Sequence, residues 1–302
     1  MKIIQNPSRE SWAELIQRPT QDYASLEETV SLLFKEVAQK GDLALSKYTS
    51  LFDGVSINSL KVTPEEFAAA ESKINPDLRT ALVQAQSNIG AFHRAQKTDI
   101  VTVETTPGVI CWQEKRPIEK VGLYIPGGTA PLFSTVLMLA IPAKLAGCKE
   151  IVLCSPPRKD GSIAPEIIYA AQLCGVTDVF KVGGIQAIAA LTFGTDSVPK
   201  VSKIFGPGNQ YVTVAKQVAT RYGVAIDLPA GPSEVLVYAD ETAVPAFIAS
   251  DLLSQAEHGS DSQVVLVASD DTILDQVQQE LNQQLEQLSR KEITRKAIEN
   301  AL

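Results

Sequence analysis

The fold is predicted most clearly by one stretch, Val121-Gly122-Leu123-Tyr124-Ile125-Pro126-Gly127-Gly128-Thr129-Ala130-Pro131. A short apolar run passes through a glycine-rich turn into the helical pattern of residues 132–146, which predicts a buried strand followed by a helix. Similar apolar runs at 151–154, 179–182 and 202–205 are each followed by a helical stretch. Their spacing of about 20 to 30 residues is typical of βαβ units, which build a parallel sheet with right-handed crossovers. The sequence therefore predicts an α/β fold.

On both sides of this region the pattern changes. Residues 1–24 are irregular, helical spacing dominates from 26 to about 96, and an alternating, strand-like run at 100–104 precedes the change of pattern at Arg116-Pro117. Apolar runs at 235–239 and 264–268 flank a predicted helix over 242–257, which indicates a further βαβ unit, and residues 272–302 are helical. We expect an N-terminal segment (1–24), a parallel-sheet α/β domain (118–229) and another α/β domain made of 25–117 together with 230–302.

Composition limits the possible partners. The net charge of −8 argues against nucleic acid or an anionic membrane as a partner. The N-terminus has no apolar signal core, and no apolar run approaches the length of about 18 residues that a membrane helix needs, so a cytoplasmic protein is predicted. The four cysteines have no metal-ligand spacing and are expected to be reduced thiols.

Two more glycine-rich turns follow predicted strands: Gly183-Gly184-Ile185-Gln186 and Gly206-Pro207-Gly208-Asn209-Gln210-Tyr211. Glycines let backbone N–H groups approach a ligand, and ligands of open α/β sheets bind at the carboxyl ends of strands. The second turn begins as G-x-G, but Tyr211 replaces the third glycine, so the standard dinucleotide fingerprint is absent. Each turn alone could be a plain connection; together they predict a shared cleft.

The segment Ser250-Asp251-Leu252-Leu253-Ser254-Gln255-Ala256-Glu257-His258-Gly259 holds one of the two histidines. Gln255 and His258 stand three residues apart at the predicted end of a helix, so their side chains leave the same face and could bind a metal or a substrate. The alternative is a histidine that interacts with the last helix carbonyls. A catalytic zinc normally takes three or four protein ligands, and neither His93 nor the cysteines are spaced to supply the others.

Two other positions permit a chemical or a structural interpretation. The prolines of the 227–234 segment predict a rigid crossing between the two sheets, which either presents Ser233 to a cleft or is only a linker. Cys154 ends a predicted strand and is either a nucleophile or a small buried apolar residue.

Together these segments resemble the histidinol dehydrogenase family. The matching runs, in the family's order, are 122–128, 152–157, 205–209, 229–234 and 250–259. The resemblance implies NAD-linked oxidation of L-histidinol to L-histidine through the aldehyde, with one Zn²⁺ per active site, in a homodimer with shared active sites. It also implies two Rossmann-like domains without the usual fingerprint. By motif, Tyr124, Gln186 and Asn209 would contact NAD, Ser233 the substrate, and Gln255 and His258 both zinc and substrate.

One part of the family's pattern is absent. Its catalytic Glu-His pair, and an aspartate and a histidine that complete the zinc site, would lie beyond Leu302. The resemblance therefore implies an N-terminal portion of the enzyme, predicted to be inactive by itself. The alternatives are a non-catalytic nucleotide-binding protein and an aldehyde-dehydrogenase-like enzyme that uses Cys154.

Overall fold

The structure is a computed structural model that describes residues 1–17, 23–127, 131–229, 234–260 and 262–302. Its α-helices are Trp12–Leu15 (α1), Tyr23–Lys40 (α2), Asp42–Tyr48 (α3), Pro64–Ala70 (α4), Pro76–Ala95 (α5), Phe133–Ala146 (α6), Pro165–Leu173 (α7), Gly184–Phe193 (α8), Gln210–Thr220 (α9), Pro245–Ala256 (α10), Asp271–Leu285 (α11) and Lys291–Glu299 (α12). Its strands are Val101–Thr106 (β1), Val109–Gln113 (β2), Lys120–Tyr124 (β3), Glu150–Ser155 (β4), Asp178–Lys181 (β5), Lys203–Phe205 (β6), Ala225–Ile226 (β7), Glu234–Ala239 (β8) and Gln263–Ala268 (β9). The α/β fold predicted from the sequence is confirmed.

A five-stranded parallel sheet forms the centre of the larger of two compact units, Asp22–Pro229. The strand order β5-β4-β3-β6-β7 places the strand of the opening stretch in the middle, and the chain winds outward from it in both directions. Side chains of neighbouring residues in a strand point to opposite faces. Leu123 and Tyr124 accordingly belong to different hydrophobic clusters, one on each face of the sheet.

Helices cover both faces of this sheet. Apolar residues of α2, α8 and α9 share one cluster with Tyr124, whereas residues of α6 and α7 share the other with Leu123. The glycine-rich turns between strands and helices therefore all lie at the carboxyl edge of the sheet, where ligands of such folds bind.

The predicted grouping of residues 25–117 with residues 230–302 differs from the structure. The compact unit that contains the sheet begins at Asp22, so helices α2 to α5 belong to it. The reason lies in α2, whose residues Val30 and Phe34 are fully buried in the same cluster as α8 and α9. A helix with a continuous apolar face packs against the part of the protein that buries this face, and for α2 that part is the sheet unit with α8 and α9.

The smaller unit consists of Met1–Gln21 with Ala230–Leu302. Strands β8 and β9 pair in parallel, and the helix between them, α10, packs with α11 and α12 in a third apolar cluster. This is the predicted βαβ unit. The N-terminal segment joins it through a hydrogen bond from the Lys2 N–H to the carbonyl of Ala301, at 2.8 Å.

Strands β1 and β2 form an antiparallel hairpin in which every residue is exposed. The sequence predicts a strand only at its beginning, so the hairpin itself is an addition. Among the parts of the chain that the structure describes, none of the helices combines the length and the apolar character needed to cross a lipid bilayer.

Candidate functional site

A cavity of about 1140 Å³ opens at the carboxyl edge of the five-stranded sheet. Its walls come from residues that follow four of the strands, among them Tyr124, Gly127, Gln186 and Asn209, and from parts of α2, α7 and the 52–53 segment. The predicted shared cleft is thus present in the larger unit, and it brings together the three residues that the sequence resemblance assigns to cofactor contact.

Tyr124 connects the end of β3 to the start of α8. Its side chain is 3% exposed, and its hydroxyl accepts a hydrogen bond from the Gly184 N–H at 3.1 Å. Burial raises the pKa of Tyr124 to about 12, and the carboxylate of Asp53 adds to the shift. The phenol therefore stays neutral, and its proton remains able to donate into the cavity.

Gln186 lies in the first turn of α8 and is 1% exposed. Its Oε1 atom is buried without a hydrogen-bond partner in the described structure. Buried acceptors of this kind are uncommon in folded proteins because desolvating one without a donor is unfavourable. An unsatisfied acceptor beside a large cavity can be paired by a bound water or by a donor of a ligand.

Two further cavity residues have buried oxygens without hydrogen-bond partners in the described structure, namely Ser155 Oγ and Asp53 Oδ2. Burial raises the pKa of Asp53 to about 6, and the positive charge of Lys159 only partly opposes this shift. Three residues of the cavity wall, Gln186, Ser155 and Asp53, thus each have a buried oxygen without a partner in the described structure. The sequence gives little sign of Asp53, since a single carboxylate before a glycine is an ordinary loop pattern.

Asn209 is the N-cap residue of α9. Its Oδ1 atom accepts a hydrogen bond from the Val212 N–H at 3.1 Å, which leaves the side-chain amide N–H groups available to a ligand. The same position lies at the N-terminal end of a helix of 11 residues, where backbone N–H groups favour an anion. Asn209 can therefore contact a ligand that carries negative charge.

Gln255 and His258 lie in the smaller unit. The sequence places His258 in the last turn of a helix. In the structure α10 ends at Ala256, so His258 lies two residues beyond the end of the helix. The His258 side chain is exposed, and its backbone N–H donates to the carbonyl of Gln255 at 3.2 Å. Gln255 Nε2 is buried and has no partner in the described structure.

These two side chains supply an imidazole nitrogen and an amide oxygen, which are both possible zinc ligands. Within the described residues, no group of three or more His, Cys, Asp or Glu side chains is arranged to hold a metal ion. His93 lies at the surface in contact with Gln96, its Nδ1 atom 2.7 Å from Oε1. The donor set therefore fits part of a zinc site, and Ser233 lies outside the described residues.

Cys154 does not have the environment of a nucleophile. Its side chain is fully buried in the apolar cluster that contains Tyr124. Burial raises the pKa of the Cys154 thiol far above its usual range, so the reactive thiolate is strongly disfavoured. The structure supports the interpretation of Cys154 as a small buried apolar residue.

Comparison with known proteins gives consistent matches. The sequence model of the family described as histidinol dehydrogenase matches residues 16–302. Histidinol dehydrogenase of Bacteroides thetaiotaomicron is 56% identical over 301 residues, which are 100% of this chain and 70% of the relative. That of Shigella sonnei is 57% identical over 292 residues, 96% of this chain and 66% of the relative. The crystal structure of histidinol dehydrogenase from Elizabethkingia anophelis has a TM-score of 0.94 and 53% identity, covering 98% of this chain and 68% of that chain.

Proposed function

Because the chain belongs to the histidinol dehydrogenase family, we propose that it is part of an enzyme that oxidises L-histidinol to L-histidine through L-histidinal. NAD is the proposed electron acceptor, Zn²⁺ the proposed metal, and the cytoplasm the proposed location. The observation that carries the proposal for this chain is the cleft, in which Tyr124, Gln186 and Asn209 line one cavity.

The polar groups of the cleft suit a dinucleotide. Ribose hydroxyls can donate to the buried Oε1 of Gln186, and the N-terminal end of α9 beside Asn209 can hold a phosphate. The cavity of about 1140 Å³ is large enough for a ligand of this size. NAD would supply the hydride-accepting ring, whereas the chain's own residues bind and orient it.

For the substrate side we propose Gln255 and His258, with Ser233 as a further contact. Gln255 and His258 would hold the zinc, which would supply a Lewis acid for binding and orienting histidinol. Of these two residues, Gln255 would hold the metal through its carboxamide oxygen and His258 through an imidazole nitrogen. Two protein ligands are fewer than zinc normally needs. We therefore expect the polypeptide 1–302 to bind zinc weakly and to lack turnover by itself.

We further propose association into a homodimer. A two-stranded hairpin is at best marginally stable in water unless something covers it. The hairpin of β1 and β2 carries the exposed apolar side chains of Val103, Ile110 and Trp112. Leu236 and Tyr238 on β8 are also exposed. These surfaces favour burial against another chain and predict marginal solubility for a monomer.

Calorimetric titration of NAD into the purified 302-residue chain tests the cleft. We expect saturable binding that a Gln186→Leu change weakens and that a Gln217→Leu change, at an exposed position of α9, leaves intact. A wild-type chain without measurable affinity for NAD would overturn the proposed cofactor site.

A second assay concerns the chemistry. The same preparation, incubated with L-histidinol, NAD and Zn²⁺, is expected to form no NADH. Steady NADH production by a chain of verified mass 32.5 kDa would contradict the expected inactivity while supporting the proposed reaction. NAD binding together with a complete absence of zinc binding would favour the alternative of a non-catalytic nucleotide-binding protein.

A further inference from the structure

Lys216 on α9 is a buried lysine that does not line the cavity. Its side chain is 2% exposed, which is rare for lysine unless the charge has a partner. Its Nζ atom forms an ion pair with the carboxylate of Asp227 and donates a hydrogen bond to the carbonyl of Gly206 at 2.7 Å. The charge is therefore fully engaged inside the protein.

Asp227 contacts the same glycine from the other side. Its Oδ2 atom accepts a hydrogen bond from the Gly206 N–H at 2.8 Å. The ion pair thus binds both backbone polar groups of Gly206. These contacts connect three parts of the larger unit that are separate in sequence: the turn after β6, the middle of α9 and the segment after β7.

Gly206 also lies in close contact with the backbone of Tyr124, a residue of the cavity wall. Its φ angle is +137°, in a region that favours glycine, and a Cβ atom at this position would overlap the carbonyl oxygen of Tyr124. The same turn continues to Asn209, the N-cap of α9. Any shift of Gly206 would therefore move the backbone that presents Asn209 relative to Tyr124.

We propose that Lys216 and Asp227 are positioning residues that hold the 206–209 turn in the arrangement the cleft requires, and that they determine affinity for NAD without touching it. This inference rests on the proposed cofactor site. A buried ion pair is weak evidence for a stabilising role, because apolar replacements of similar volume are often equally stable. Both members of the pair instead contact one glycine, Gly206, in the turn that leads to Asn209, and this points to control of local geometry.

The test measures NAD affinity and local order in the 302-residue chain. Lys216→Met and Asp227→Ala are expected to raise the Kd for NAD by about tenfold or more, since misplacement of a binding group by about 1 Å is enough for such a loss. Amide exchange over 204–210 should become faster in both variants. Asp227→Asn retains an oxygen that can accept from the Gly206 N–H, so its Kd is expected to lie between those of wild type and Asp227→Ala.

Val218→Ala is the matched control, since Val218 is buried on the same helix and packs into the apolar cluster. It should lower Tm without changing the Kd for NAD. If Lys216→Met and Asp227→Ala lower Tm but bind NAD like wild type, the inference is overturned and the cofactor site stands. A wild-type chain that does not bind NAD overturns both. If Lys216→Met fails to fold, the Kd of Asp227→Asn relative to Val218→Ala decides, and equality overturns the inference.

Discussion

Gln186→Met should separate binding from stability, because the two effects are expected to have opposite signs. Gln186 Oε1 is buried in the wall of the cavity without a partner in the described structure. Methionine has a similar length and replaces the carboxamide with apolar atoms. In the absence of ligand, the change removes an unsatisfied acceptor and leaves the packing of α8 nearly unchanged.

The expected size follows from the state of that acceptor. Leaving a buried acceptor unpaired costs about 1–3 kcal/mol, and Gln186 borders a cavity that water can enter, so the lower end applies. A gain of about 1 kcal/mol corresponds to a rise in Tm of about 2–4 °C for a unit of this size. Loss of one hydrogen bond of about 1 kcal/mol to NAD should raise the Kd about fivefold.

Thermal unfolding of the chain without NAD and calorimetric titration with NAD measure the two effects separately. Gln217→Met on the exposed surface of α9 serves as the control and should change neither quantity. A Gln186→Met protein that is less stable than wild type would show that Gln186 is satisfied in the free protein. Unchanged affinity for NAD in that variant would remove Gln186 from the cofactor site.

Four further predictions follow from individual groups. Tyr124→Phe removes the acceptor of the Gly184 N–H and should lower the free energy of unfolding by about 1 kcal/mol, measured by urea denaturation, and weaken NAD binding. Asp53 has a pKa of about 6 in the folded state, above its ordinary value of 3.8, so the folded state binds a proton more readily than the unfolded state between these pH values. The free energy of unfolding should therefore rise as pH falls from about 6 to about 4. Asp53→Asn should remove about 1 kcal/mol of this pH dependence, after allowance for partial exposure. His258→Ala should abolish the weak zinc binding that we expect for the wild-type chain, whereas His93→Ala should not; titration with a metal indicator measures both. Cys154→Ala should lower Tm, because it empties part of the core, and leave the Kd for NAD unchanged; a loss of NAD binding without a loss of stability would contradict this interpretation.

The parallel sheet was predictable because its signal is local. Each strand of the βαβ region is a short apolar run, and each helix begins soon after a turn. Helix α9, for example, begins directly after its N-cap residue Asn209. The association of α2 with this sheet was not predictable in the same way. An amphipathic helix shows that one face is buried, as Val30 and Phe34 are, but the pattern does not say which surface covers it.

The candidate site was also only partly predictable from the sequence. The sequence resemblance names Tyr124, Gln186 and Asn209, and the structure places them around one cavity, but their roles remain predictions. Asp53 and Lys216 carry no sequence signal of their own. Each gains its significance from a contact that forms only in the folded chain, as between Lys216 and Gly206, and a single sequence does not report such contacts.

The glycines of the cleft illustrate why residue type alone gives an incomplete explanation. In the sequence, Gly127 and Gly183 suggest backbone that approaches a ligand closely. In the structure, a Cβ atom at either position would overlap Pro156, which follows β4 and lies between the two turns. Since β4 lies beside β3, the strand that carries Tyr124, this close packing brings the turn before α8 near enough for the Gly184 N–H to reach the Tyr124 hydroxyl. The packing of the protein itself thus accounts for glycine at these two positions.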